Sequence, residues 1–219
     1  MKIEETPNDV LSVKAFDNQL RPSANLHPDL LQPPFSLLLV GPAGSGKSTA
    51  IIRMIYGNKK RKCDDKKSTH HKFYRHHFDR IFIFSPTFSL DPKGHKCKIP
   101  EDQIFDEPEM YEEVITEILA GQQADIEADG KEEADDILMI FSDLAGTKLF
   151  SQKKGIMNKL AFNRRHFNVS LLIDSQGLRQ INNAFRENLS GIMLFAGISN
   201  KKELEKLHEE YLGRYSKDE

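Results

Sequence analysis

Gly41-Pro42-Ala43-Gly44-Ser45-Gly46-Lys47-Ser48-Thr49 fills every fixed position of G-x-x-x-x-G-K-[ST], the loop that cradles a polyphosphate. The apolar run Phe35-Ser36-Leu37-Leu38-Leu39-Val40 precedes it and Ala50-Ile51-Ile52-Arg53-Met54-Ile55 follows, which gives the order strand, loop, helix. Three glycines let successive backbone N–H groups turn toward one anion, and the positive end of the following helix faces the same point. In this reading Lys47 reaches the β- and γ-phosphates, the Ser48 hydroxyl sits on Mg²⁺ and Thr49 touches the α-phosphate. The competing reading is a glycine-rich turn with a chance lysine, which would not require every fixed position in its proper context. The stretch therefore predicts an α/β domain with a nucleoside triphosphate site, ATP and Mg²⁺ being its cofactors.

Around that loop, 219 residues suit one α/β domain with extensions. Two ATPase lobes in one chain would not fit, so any second half of the site has to come from another subunit. The formal net charge is only −2, but the charge is segregated. Between Gly57 and Arg80 nine lysines and arginines face three aspartates, whereas between Glu101 and Asp136 fifteen acids face Lys131 alone. The basic segment, with Lys59-Lys60-Arg61-Lys62, Lys66-Lys67 and two His-His pairs, is either a solvated loop or a loop that contacts nucleic acid. Cys63 and Cys97 form no C-x-x-C pair, so neither a disulfide framework nor a zinc ribbon is indicated and a reducing compartment is expected. No run approaches the roughly 20 apolar residues of a membrane span, and a soluble chain without a leader is expected.

Residues 1–34, punctuated by Pro7, Pro22, Pro28, Pro33 and Pro34, read as an extended N-terminal arm, with 35–219 as the ATPase domain. Within that domain 57–77 reads as a basic insertion and 122–136 as an acidic loop. Phe78–Phe84, closed by Ser85-Pro86, is the second strand, and four prolines from Pro86 to Pro108 then space out a surface connection. Met110, Val114, Ile115, Ile118 and Leu119 mark a helix with one apolar stripe, whose acids are read as its solvated face. Ile137–Phe141 and Val169–Ile173 are unbroken apolar runs, as expected of buried parallel strands whose C-terminal ends open on a ligand crevice. They end in Ser142-Asp143 and in Asp174-Ser175-Gln176. Met157, Leu160 and Ala161 mark a helix between them, Ile192–Phe195 the last strand, and Asn200 with Glu203 the start of a final helix by a capping box.

Phosphoryl transfer to water needs a metal organiser, a base, a reader of the γ-phosphate and a cation for the transition state. Asp143 is the candidate base and, with Ser48, a candidate metal ligand. Gln176 at the next strand tip can contact γ-phosphate and attacking water, and Arg164, Arg165 and Arg186 are candidate arginine fingers.

Taken in order, these residues resemble the genome-packaging ATPases of large DNA viruses and virophages, poxvirus-like and giant-virus relatives in the FtsK/HerA superfamily. Beyond the loop the resemblance rests on Ile83-Phe84-Ser85-Pro86-Thr87, Ile140 to Leu144, Asn163-Arg164-Arg165-His166, Ser170 to Gln176 and Arg186-Glu187-Asn188-Leu189-Ser190-Gly191. It implies a RecA-like (ASCE) P-loop NTPase with a mainly parallel sheet flanked by helices. It further implies a homo-oligomeric ring, a pentamer or hexamer, that drives double-stranded DNA into a preformed capsid. A capsid vertex or inner-membrane protein is an implied partner, and the host cytoplasm, at the virus factory, or the virion is the implied location. By the same resemblance Gln176 matches the polar sensor and Arg164-Arg165 the basic element presented to a neighbour's nucleotide. One position departs: such motors carry two acids after this apolar strand, and here the pair is Ser142-Asp143. A serine supplies no charge, so metal affinity or rate would be weakened unless Asp143 or Asp174 substitutes. Two other functions fit the same loop: a nucleotide-gated clamp on DNA or capsid protein that barely hydrolyses, and a small-molecule kinase.

Overall fold

In a computed structural model, residues 26, 30–56, 73–88, 99–144, 147–152 and 155–213 are described. The sequence's apolar runs become β1 (Ser36–Val40), β2 (Arg80–Phe84), β4 (Ile137–Phe141), β5 (Val169–Ser175) and β6 (Gly191–Leu194), and a two-residue strand β3 (Ile104–Phe105) joins them. All pairings are parallel, in the order β3-β2-β4-β5-β1-β6. Helices α1 (Lys47–Tyr56), α2 (Tyr111–Asp129), α3 (Ile156–Asn163), α4 (Asn183–Arg186) and α5 (Lys201–Tyr211) complete the frame.

Every residue of β1, β4 and β5 is buried, because helices cover the sheet on both sides and alternate side chains feed two cores. Leu38, Val40, Met139, Phe141, Leu171 and Ile173 share one core with Tyr111, Ile115 and Leu160. Leu37, Leu39, Leu138, Ile140 and Leu172 share the other with Ile51 and Ile55 of α1 and with Tyr74 and Phe78. Phe84 stacks on Phe141 (centroids 4.8 Å apart) and on Phe105 (5.2 Å), which fastens the β2–β3 edge to the middle of the sheet.

Three expectations are corrected. The connection after β2 holds β3, too short for its two residues to show any alternation. The acidic stretch 122–136 is not a loop throughout: α2 runs on to Asp129 and stops at Gly130, whose φ of 90° is the glycine-favouring exit. Gln122 anchors it, for its buried side chain accepts from Arg80 Nη2 (3.0 Å) and donates to the Asp135 carbonyl (2.8 Å), bonding the helix to β2 and to the segment that enters β4. Finally, the capping box at α5 is half formed. Asn200 Oδ1 accepts from Lys202 N at 3.0 Å, but Glu203 turns away and accepts from Leu178 N at 2.9 Å. The N-terminal arm and the basic insertion fall mostly outside the described residues.

Candidate active site

The last residue of β1, Val40, hands the chain to Gly41, and α1 begins at Lys47. Geometry dictates glycine in that loop. Gly46 has φ of 100°, which side-chain-bearing residues avoid, and a Cβ on Gly41 would lie 2.6 Å from Phe195 Cβ. Gly41 N donates to the Ser175 carbonyl at 3.2 Å, tying the root of the loop to the end of β5. Lys47 is buried, its Nζ held across the loop by the carbonyls of Gly41 (2.8 Å) and Pro42 (3.1 Å).

Strand order does the rest. Because β5 lies between β1 and β4, the segments leaving the C-terminal ends of all three strands stand side by side, where open α/β sheets bind ligands. One cleft of about 240 Å³ is lined by Lys47, Ser48, Asp143, Asp174 and Gln176 among others. The candidate base, the candidate sensor and the phosphate loop, scattered over more than a hundred positions of sequence, thus share one wall.

The ends of β4 and β5 are linked there through Asp174. Ser142 Oγ donates to Asp174 Oδ2 at 2.7 Å, and Asp143 N donates to Asp174 Oδ1 at 3.1 Å. Asp143 itself is exposed, takes a φ of 54° that aspartate tolerates better than most residues, and accepts from Thr87 Oγ1 at 3.0 Å. Thr87, just beyond β2, is counted in the resemblance above but was given no role in the site there. Its signal was its place directly after a β-rich run closed by Ser85-Pro86.

The arginines separate. Arg165 is exposed. Arg164 is buried, donating to the Ala161 carbonyl (2.6 Å) and to Ser190 Oγ (3.1 Å). Burial, and then the Arg165 charge, push its pKa below the ordinary arginine value. Ser190 also accepts from the amide of Ser36, the first residue of β1, so Arg164 braces the end of the sheet opposite the phosphate loop. Arg186 is buried too: Nε and Nη2 grip Glu210 of α5 at 2.8 and 2.7 Å, and the remaining donors meet the Leu178 and Ile181 carbonyls and Asn183. Neither Arg164 nor Arg186 lines the cleft, and each guanidinium is buried and hydrogen-bonded inside its own subunit, Arg164 through its two terminal nitrogens only.

Sheet order, phosphate loop and strand-end residues define a RecA-like P-loop ATPase fold. No protein-family model matches the sequence, and no curated protein does. Solved structures do match. The genome packaging NTPase B204 of Sulfolobus turreted icosahedral virus 2 in complex with ATPγS aligns at TM-score 0.54 and 16% identity, over 84% of this chain and 85% of that one. The same NTPase with sulfate gives 0.56 at 14% identity over 82% of each chain. The cytoplasmic domain of the type VII secretion ATPase EccC of Thermomonospora curvata gives 0.51 at 12% identity, over 78% of this chain and 20% of that one. At these identities the likeness is one of fold.

Proposed function

We propose that this chain is an ATP-hydrolysing motor that moves double-stranded DNA, packaging a viral genome into a preformed capsid as a homo-oligomeric ring, a pentamer or hexamer. The observation that carries the reading is the gathering of Lys47, Asp143 and Gln176 on one cleft at the ends of three adjacent strands. A phosphate loop alone would serve a kinase equally well. A strand-end acid and a strand-tip glutamine beside it suit attack by water.

In this mechanism the amides of the loop and Lys47 bind the β- and γ-phosphates. The free oxygen of Asp143 polarises the attacking water, while Thr87 fixes the other oxygen and so the rotamer. Gln176 holds water and γ-phosphate in line. Mg²⁺ fits the oxygen donors available, since the Ser48 hydroxyl and the Asp174 carboxylate line the same cleft. When bound, it neutralises charge on the β- and γ-phosphate oxygens. Arg165 is the finger we assign to the neighbouring subunit's nucleotide. The work is assigned to the host cytoplasm or the virion, with a capsid vertex or inner-membrane protein as docking partner.

A second reading, a nucleotide-gated clamp with weak hydrolysis, is favoured by Ser142, a neutral residue whose hydroxyl is committed to Asp174. Mass in solution, measured with and without an ATP analogue and duplex DNA, tests the motor. A ring that assembles on nucleotide and DNA supports it; a monomer under every condition overturns it.

A further inference from the structure

The face of the sheet that α1 covers is largely apolar, Ser170 apart, and changes character at the end nearest the phosphate loop. In-register partners in a parallel sheet point to the same side, and Leu39 of β1 pairs with Asp174 of β5. Leu39, Leu172 and Ile140 all belong to the core beneath α1. Asp174 and Ser142, two residues beyond Leu172 and Ile140, continue those rows toward the first turn of α1, where Ser48 lies.

Asp174 is only 7% exposed, and both its oxygens accept hydrogen bonds, from Ser142 Oγ and from Asp143 N. Among the described residues no lysine or arginine is ion-paired with it. Neutral donors orient a buried carboxylate but leave its charge without a counterion, an unfavourable arrangement unless a cation arrives. The wall it shares with Ser48 and Lys47 is where a metal–triphosphate would bring one.

We infer that Asp174 supplies the charge that holds the nucleotide's Mg²⁺, through the metal's waters, with Ser142 as the hydrogen-bond post that fixes its carboxylate. The inference rests on the ATP-site reading above and assigns the metal's acid to β5, leaving Asp143 free to act on water. Ser142 is then a positioning residue, since it acts through Asp174.

The test is the binding of a fluorescent ATPγS analogue to the full chain, in EDTA and across a Mg²⁺ titration. The wild type should bind more tightly with Mg²⁺. Asp174→Asn should leave the EDTA affinity unchanged and raise the Mg²⁺ concentration for half-maximal enhancement by about 10–100-fold, the usual effect of removing a group that supports a metal from its outer shell. Asp143→Asn should keep the wild-type midpoint while losing turnover. Moving the acid back with Ser142→Asp/Asp174→Ser should return the midpoint toward wild type, which a merely structural role for Asp174 would not do. This double variant carries the test if Asp174→Asn does not fold. A wild-type midpoint in Asp174→Asn, or a shift seen in Asp143→Asn instead, overturns the inference while leaving the ATP site standing. Absence of nucleotide binding by the wild type overturns the ATP site itself.

Discussion

Gln176 follows β5 by one residue and lines the cleft with its side chain exposed, so its removal should disturb no packing. Gln176→Ala should keep nucleotide affinity within about twofold and lower turnover about a hundredfold, the scale set by deleting one transition-state donor. Parallel loss of binding and turnover, measured by equilibrium titration and phosphate release, would mark it as structural instead. His77 has a separate consequence. Burial lowers its pKa below the usual value, against the pull of Asp136 and Asp79, and its Nε2 has no hydrogen-bond partner among the described residues. The unfolded chain therefore takes up a proton near pH 6.5 that the folded chain resists, so stability is complete above that pH and falls as pH drops through it. Urea midpoints at pH 7.5 and 5.5 should differ less in His77→Gln than in wild type; an equal fall in both would remove His77 as the cause. At this scale the phosphate loop was readable without coordinates because each of its positions has its own chemical reason. The role of Thr87 was not, since its place after a β-rich run marks a strand end but not the partner, Asp143, that folding sets 3.0 Å away.

Among the elements, α5 shows how far local pattern reaches. Asn200 announces its start, but Glu203 serves the backbone amide of Leu178 rather than its own helix, a preference that only the packed neighbour creates. The same distance effect hid the structural job of Arg186, which the sequence offered as one of three candidate fingers. It joins α4 to α5 through Glu210 and caps the carbonyls of Leu178 and Ile181. Arg186→Ala would leave the Leu178 and Ile181 carbonyls without this donor, and a loss of about 1–3 kcal/mol is expected from stranding buried acceptors. Chemical denaturation checks this; a change under about 0.5 kcal/mol, the ordinary range for surface positions, would show the clamp to be idle. By contrast β1, β4 and β5 were legible as buried parallel strands from their unbroken apolar runs. The C-terminal half of α2 was not, because its acids and glutamines read as solvated while polar side chains, buried Gln122 and then Asp125, tie it to Arg80 of β2.

For the whole molecule, fold class followed from the order of runs around the loop, whereas assembly leaves no such pattern in one chain. Charge at the surface gives only a candidate, and among the three arginines considered Arg165 is the exposed one. If it completes a neighbour's site, Arg165→Ala should be inactive alone yet keep a competent phosphate loop, and Lys47→Ala should be inactive with a competent Arg165. Mixed rings of the two contain some interfaces with both residues intact and should recover part of wild-type turnover. No recovery at any ratio, in rings shown to be mixed, would contradict a finger acting between subunits. The central claim, that ATP turnover here is coupled to movement along DNA, is tested most directly by steady-state phosphate release as duplex DNA is titrated in, with saturating ATP and Mg²⁺. The motor requires turnover that rises with DNA and disappears in Lys47→Ala; turnover that stays flat across the titration, in protein that demonstrably binds both ATP and DNA, would contradict it.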